Sequence, residues 1–170
     1  MRKKYKLFIF DFDGTLGDTK ECVVDSFQQT LLKNQLPPVA RDQIIHLMGL
    51  SLKEVFKKLT KETLEDNDYT KLVTDYRDLY REFLPKKTLI FPEVAETLQK
   101  LKERNTLCSI ATSKKTELAK LSCQYLNIDS YFDLFIGDDK VSQKKPHPEM
   151  LEHTLHNLNI NKKDAVMIGD

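Results

Sequence analysis

Four short apolar runs, one of which contains a serine, constrain the fold of this 170-residue chain more than any other feature of its sequence. A continuous apolar run of this length is typical of a strand that is buried on both faces, as in a parallel sheet. Helical patterns, with apolar residues three or four positions apart, lie before the second run and between the later ones. Because strand and helix alternate, the sequence predicts a doubly wound α/β sheet. The four runs are residues 7–10, 107–111, 134–136 and 165–168.

A long interval after the first run breaks this alternation, because it contains helical patterns only. Ser51 and Glu54 fit a capping box that opens its middle helix. Pro85 is expected to close the interval, since proline disrupts a continuing helix. We therefore predict two domains: an α/β core made of residues 1–18 and 85–170, and an inserted all-helical domain made of residues 19–84.

Composition and charge exclude several classes of function. The 27 basic and 26 acidic residues are mixed along the chain and give a net charge of +1, whereas a nucleic-acid-binding protein needs a concentrated basic face. No segment approaches the roughly 18 apolar residues of a membrane span. The cysteines Cys22, Cys108 and Cys123 show no CxxC spacing and cannot all pair, which is typical of reduced thiols in the cytoplasm. We predict a cytoplasmic protein that binds neither nucleic acid nor a membrane.

Polar residues stand where each predicted strand ends. In open α/β sheets, ligands bind outside the carboxyl ends of the strands. Any one of these residues could be a plain turn or a helix cap, but together they predict one binding crevice. They are Asp11, the pair Thr112 and Ser113, the run Gly137-Asp138-Asp139, and the pair Gly169 and Asp170.

The segment Asp11-Phe12-Asp13-Gly14-Thr15-Leu16 carries the strongest chemical signal. Two carboxylates at positions i and i+2, released from a buried strand into a glycine turn, can share one small volume. Such hard oxygen ligands suit Mg²⁺, which also offsets the repulsion between carboxylates and an incoming phosphate. Gly14 and Thr15 are expected to turn backbone N–H groups toward that phosphate. A plain Asp-Gly turn is the competing interpretation, whereas an EF-hand is excluded because its glycine comes later and its closing glutamate is absent.

This hexapeptide resembles motif I of the haloacid dehalogenase (HAD) superfamily, and three later sites resemble its other motifs in order. Thr112 is similar to motif II, Lys145 in Lys145-Pro146-His147-Pro148-Glu149 to motif III, and Gly169-Asp170 to the opening of motif IV. The segments Phe91-Pro92-Glu93 and Gly49-Leu50-Ser51 resemble signatures of the phosphoglycolate-phosphatase-like branch. The resemblance covers the whole chain and implies a HAD-like α/β core with a helical cap.

The resemblance implies a Mg²⁺-dependent phosphatase that acts through an aspartyl-phosphate. Asp11 would be the nucleophile and Asp13 the general acid and base, while Thr112 and Lys145 complete the catalytic set. Gly14, Thr15, Thr112, Ser113 and Lys145 would bind the phosphate, and Asp11, Asp13 and Asp170 the metal. Asp13 favours phosphate chemistry, because the dehalogenases of the superfamily lack this second aspartate. A helical cap of this size implies a small phosphorylated metabolite, such as phosphoglycolate, a sugar phosphate or pyrophosphate.

Two other functions remain open from the sequence: a phosphomutase of the β-phosphoglucomutase type, and a catalytically silent module that binds a phosphate ligand. Glu93 and Asn105 depart from the family, since they stand where relatives commonly carry glycine in turns. The family also continues beyond motif IV, so we expect the core to be C-terminally incomplete. In that case the strand of residues 165–168 would leave an open sheet edge, through which the chain could self-associate.

Overall fold

The computed structural model of the chain describes residues 5–61 and 63–169. It forms two compact units, of which the second comprises Thr19–Thr88 and the first comprises the described residues on either side. The boundary on the C-terminal side therefore lies after Thr88 rather than before Pro85. Along the described part of the chain, no helix has both the length and the apolar character needed to cross a bilayer.

The strands are β1 (Leu7–Phe10), β2 (Gly17–Asp18), β3 (Leu89–Ile90), β4 (Leu107–Ala111), β5 (Leu134–Ile136) and β6 (Ala165–Ile168). The α-helices are α1 (Lys20–Lys33), α2 (Arg41–Ile45), α3 (Leu52–Leu59), α4 (Asp66–Lys87), α5 (Val94–Glu103), α6 (Thr116–Tyr125) and α7 (Glu149–Asn157). Short 3₁₀ helices span Asp129–Tyr131, Asp138–Lys140 and Lys162–Asp164.

The first unit is built on a parallel sheet with the strand order β5-β4-β1-β6. All four strands predicted from the apolar runs are present, and β1 lies between two neighbours. A separate antiparallel pair is formed by β2 and β3, at the points where the chain leaves this unit and returns to it. The prediction of a parallel α/β sheet is confirmed.

The sheet is covered by helices on both faces, because successive side chains of a strand point to opposite sides. Leu7 and Ile9 of β1 pack in one apolar cluster with Met150 of α7. Phe10, from the other face, belongs to a second cluster that includes Leu98 of α5 and residues of α6. Strands buried on both faces favour apolar side chains at successive positions, which explains the apolar runs in the sequence. Ser109 of β4 is a buried polar residue within one of these runs.

The second unit contains only helices, α1 to α4, as the sequence predicts for this interval. Its core includes the rings of Phe27, Phe56 and Tyr76, with centroids of Phe27 and Tyr76 4.4 Å apart. The predicted capping box is confirmed: the Ser51 hydroxyl accepts from the Glu54 N–H, and the Ser51 N–H donates to the Glu54 carboxylate.

The expectation that Pro85 ends the helical segment is wrong, since α4 continues through it to Lys87. Proline removes one helix hydrogen bond and crowds the preceding turn, but its fixed φ is compatible with helical backbone. Leu84, directly before it, is fully buried.

Candidate active site

The register of the sheet brings three predicted motifs to one edge. Leu7 of β1 is paired with Leu107 of β4 on one side and with Ala165 of β6 on the other. Just past the strand ends, the Asp11 N–H donates to the Ile168 carbonyl at 2.9 Å, and the Thr112 N–H donates to the Ile136 carbonyl at 3.1 Å. The residues that follow β1, β4 and β6 therefore emerge side by side at the carboxyl ends of the strands.

A tight turn follows Asp11 and fixes the motif I loop. Gly14 has a φ of +75°, a left-handed conformation that glycine adopts without strain. Its N–H donates to the Gly17 carbonyl at 3.1 Å, and the Thr15 N–H donates to the Phe12 carbonyl at 3.3 Å. These two N–H groups, which we expected to face a phosphate, close the turn instead. The Thr15 hydroxyl is buried and has no hydrogen-bond partner among the described residues, so it can still donate or accept a hydrogen bond.

Each aspartate of the motif I loop forms an ion pair with a lysine from another part of the core. Lys145 Nζ lies 2.7 Å from Asp11 Oδ2, and the second oxygen of Asp11 accepts the Phe12 N–H at 2.7 Å. Lys114 Nζ lies 2.6 Å from each carboxylate oxygen of Asp13. The four side chains carry two charges of each sign, so the two carboxylates are compensated within the protein.

Lys114 is a site residue that the sequence analysis missed. Its side chain is only 10% exposed, and its ammonium lies 5.7 Å from the centroid of the Phe12 ring. Its backbone N–H donates to the hydroxyl of the buried Thr112 at 3.3 Å. Its position three residues after the last residue of the buried strand β4 was the available signal in the sequence.

The residues after β5 support the site without joining its charged pairs. Asp138 forms an ion pair with Lys144 at 2.8 Å, and the Asp139 carboxylate accepts both the N–H and the hydroxyl of Thr116. Burial raises the pKa of Asp139, but these hydrogen bonds from Thr116 outweigh it and hold the pKa below its ordinary value. A side chain at Gly137 would meet the Thr116 backbone nitrogen at 2.3 Å, so only glycine allows this contact.

The remaining predicted site residues are Ser113 and Asp170. Ser113 lies between Thr112 and Lys114 and is half-buried, while Asp170 lies outside the described residues. No group of three histidine, cysteine or acidic side chains clusters in the described ranges. Asp11 and Asp13 alone supply two hard carboxylates that remain partly open to solvent. Since Mg²⁺ in proteins is usually held by one or two carboxylates, water and substrate phosphate, this donor set fits the ion.

Comparison with known proteins agrees with this geometry. Residues 8–170 match the family described as haloacid dehalogenase-like hydrolase. The chain is 30% identical to Pyrophosphatase PpaX of Bacillus cereus over 167 residues, covering 98% of the chain and 75% of the relative. It is 37% identical to Probable phosphatase IndB of Dickeya dadantii over 166 residues, covering 96% and 72%.

The same fold occurs in a solved structure from Haemophilus somnus, described as a predicted phosphoglycolate phosphatase. It superimposes with a TM-score of 0.90 at 22% identity and covers 100% of this chain and 79% of the other. At that identity the likeness concerns the fold alone, whereas the sequence match extends over nearly the whole chain. The chain belongs to the haloacid dehalogenase-like hydrolase family.

Proposed function

We propose that this protein is a Mg²⁺-dependent phosphatase that hydrolyses a small phosphorylated metabolite through an aspartyl-phosphate on Asp11. The observation that carries the proposal is the pair of aspartate–lysine contacts at the carboxyl edge of the sheet, at 2.7 Å for Asp11 and 2.6 Å for Asp13. Two anionic groups fixed next to two cations can act on a phosphate, because the lysines offset the charge that the phosphoryl group brings.

The proposed reaction has two displacement steps. In the first, an Asp11 carboxylate oxygen forms a bond to phosphorus while the bond to the leaving oxygen breaks. Asp13, which takes up a proton when the substrate binds, gives that proton to the leaving oxygen. In the second, Asp13 takes a proton from water, whose oxygen attacks phosphorus and releases Asp11 and inorganic phosphate. Proton transfer by a positioned group typically contributes 10²–10⁴-fold.

The neighbouring side chains stabilise the charge that develops during these steps. Lys145 already contacts the nucleophilic carboxylate, and Thr112 is held at the same edge by the bond between its hydroxyl and the Lys114 N–H. Asp11 and Asp13, with Asp170, would hold Mg²⁺, which supplies further positive charge for the phosphate oxygens. The metal roles of these three residues are part of the proposal.

The helical unit is relevant to the size of the substrate. The chain leaves the core at Asp18 and returns at Leu89, which are paired residues of β2 and β3. We propose that residues 19–88 act as a cap that excludes water and limits access to small substrates. Relatives named pyrophosphatase and phosphatase are consistent with a small phosphate compound.

Cytoplasmic location and self-association through the β6 edge stay predictions.

A substrate screen with a nucleophile variant tests the proposal. Small phosphate esters and pyrophosphate are incubated with the protein in Mg²⁺ or in EDTA, and phosphate release is measured. We expect release in Mg²⁺ only, and we expect Asp11→Asn to abolish it because an amide is a poor nucleophile. In Mg²⁺ and BeF₃⁻, a covalent-intermediate mimic should form on the parent protein but not on the variant.

Asp18→Asn is the matched control for Asp11→Asn, because it removes a nearby carboxylate that lies outside the proposed chemistry. Both variants should keep the circular dichroism spectrum of the parent. Turnover of Asp11→Asn above about a hundredth of the parent rate would contradict the nucleophile assignment, given what positioned nucleophiles contribute. Formation of an isomer rather than free phosphate would indicate a phosphomutase.

A further inference from the structure

Lys145 lies in a loop, so its contact with Asp11 depends on what fixes that loop. The loop runs from Val141 to Pro148, between a 3₁₀ helix and α7. Its first turn is held by Glu149, the first residue of α7. One oxygen of the Glu149 carboxylate accepts the Ser142 N–H at 2.8 Å, and the other accepts the Gln143 N–H at 2.6 Å. Both hydrogen bonds therefore join α7 to residues that precede Lys145 in the chain.

The Glu149 contacts have the properties of a clamp. The side chain is only 16% exposed, and it binds two consecutive backbone N–H groups, each with a separate oxygen. The Ser142 and Gln143 N–H groups hold the pKa of Glu149 below its ordinary value. Charge-assisted hydrogen bonds of this kind are about twice as strong as neutral ones. The clamp therefore sets the backbone two residues before Lys145.

Two further contacts complete the loop around Lys145. The His147 N–H donates to the Lys144 carbonyl at 3.0 Å, and the Glu149 N–H donates to His147 Nδ1 at 3.2 Å. His153, one turn along α7, approaches the Glu149 carboxylate at 3.9 Å. Thus the residues on both sides of Lys145 are bonded to Glu149, through its carboxylate on one side and its backbone on the other.

We propose that Glu149 is a positioning residue of the phosphoryl-transfer site, which acts by holding Lys145 within reach of Asp11. This inference rests on the proposed function, and it adds a residue that binds neither the phosphate nor the metal. Since a displacement of about 1 Å in a catalytic group can cost up to a hundredfold in rate, loosening the clamp should lower kcat. The fold should survive, because the loop lies outside the sheet.

A double-mutant cycle separates this role from a general structural one. The variants are Glu149→Gln, Lys145→Met and the combination of both. We expect Glu149→Gln to lower kcat about tenfold with a smaller effect on KM, but to cost less than about twofold in the Lys145→Met background, because its effect passes through Lys145. Equal losses in both backgrounds would overturn the proposal.

Glu152→Gln is the matched control, because Glu152 is an exposed acid in the same first turn of α7. This substitution removes the same charge from the helix terminus as Glu149→Gln does. It should keep kcat within about twofold of the parent, as most exposed substitutions do. A loss as large as that of Glu149→Gln would show that helix charge, not the clamp, is responsible. If Glu149→Gln does not fold, Glu149→Asp, which keeps the carboxylate at shorter reach, takes its place with the same expected direction.

A second measurement needs no turnover. Labelling with an amine reagent, followed by mass spectrometry, reports how well the Lys145 ammonium is protected. Glu149→Gln should raise the labelling rate of Lys145 several-fold and leave that of the exposed Lys162 unchanged. If the parent hydrolyses no phosphate but this change occurs, the proposed function fails and the positioning role stands. If the parent is active and Lys145 labelling does not change, the positioning role is wrong.

Discussion

At the scale of single residues, the site is defined by which cation each carboxylate contacts. Asp11 contacts Lys145 and Asp13 contacts Lys114, so the proposed nucleophile and the proposed acid–base group have separate partners. The repulsion that two adjacent carboxylates would suffer is offset before any ligand binds. Each lysine also restricts the orientation of its aspartate, which favours a reactive geometry.

Replacement of Lys114 tests the second of these contacts. Lys114→Met keeps much of the length and apolar stem but removes the ammonium from both Asp13 oxygens. Because Asp13 then lacks the group that orients it, we expect kcat to fall by about tenfold or more, within the range that general acid–base catalysis contributes. Steady-state kinetics measures the change, with Lys120→Met on the exposed face of α6 as control. Values of kcat within twofold of the parent would contradict the assignment.

Glu93 illustrates a second effect at this scale, because its backbone lies in the left-handed region. It precedes α5 with a φ of +66°, and Asn105 after the helix has a φ of +52°. Asparagine tolerates the left-handed region, whereas glutamate is strained there by roughly 1–2 kcal/mol. A glycine at position 93 would avoid this strain.

We therefore expect Glu93→Gly to stabilise the protein by about 1 kcal/mol, after allowing for the greater freedom of glycine in the unfolded chain. Ala95→Gly, two residues later on the exposed face of α5, should instead destabilise it by about 1 kcal/mol, because its backbone is helical. Urea denaturation of both variants measures the free energy of unfolding. If Glu93→Gly lowered the free energy of unfolding as Ala95→Gly does, the left-handed backbone at Glu93 would carry no strain.

At the scale of elements, α1 and α4 are joined by one largely buried carboxylate. Asp75 of α4 accepts from Lys33 at 2.7 Å and from Asn34 at 2.9 Å, and from Lys71 of its own helix at 2.9 Å. These three donors, Lys33 first, hold the pKa of the Asp75 carboxyl well below its usual range. The helical unit thus contains a charge network whose strength depends on pH.

The sign of that dependence follows from the lowered pKa. The carboxylate stabilises the folded protein fully above the unfolded pKa of about 3.9, and this contribution is lost as the pH falls toward the lower folded pKa. Asp75→Asn should cost about 2 kcal/mol near pH 7, as hydrogen bonds to a charged group do. The difference from the parent should shrink below about pH 4. Thermal or urea unfolding at several pH values measures it.

Asp78→Asn is the control for this experiment, because Asp78 is on the same helix but 64% exposed in its pair with Arg81. Exposed pairs contribute little, so its effect should stay within about 0.5 kcal/mol. A difference between parent and Asp75→Asn that does not change with pH would rule out the network as a source of acid sensitivity.

The elements also show how far the sequence determines the result. Short apolar runs predict β1, β4, β5 and β6, because the strands of a parallel sheet favour apolar residues at successive positions. Their order, and hence the meeting of the residues after β1, β4 and β6, follows from long-range pairing that periodicity does not contain. Lys114 was not predicted as a site residue because a lysine after a strand usually faces solvent, whereas this side chain is 10% exposed and contacts Asp13.

At the scale of the whole molecule, the two units differ in how they are assembled from the chain. The helical unit is one continuous segment, Thr19–Thr88, whereas the α/β unit is made of two separated parts. Helices that follow each other in sequence can pack through local contacts. The parallel sheet depends on contacts between distant segments, which form more slowly.

The central position of β1 therefore has a consequence for the time course of synthesis. Leu7 pairs with Leu107, 100 residues later, and with Ala165, 158 residues later. At ribosomal rates of about 5–20 residues per second, the strand that leads into Asp11 waits roughly 5–20 s for its first neighbour. During that interval the nascent chain exposes an apolar segment with unpaired backbone groups, while the helical unit can already fold. Asp11 is translated early, but it acquires its neighbours in the sheet only when β6 has left the ribosome.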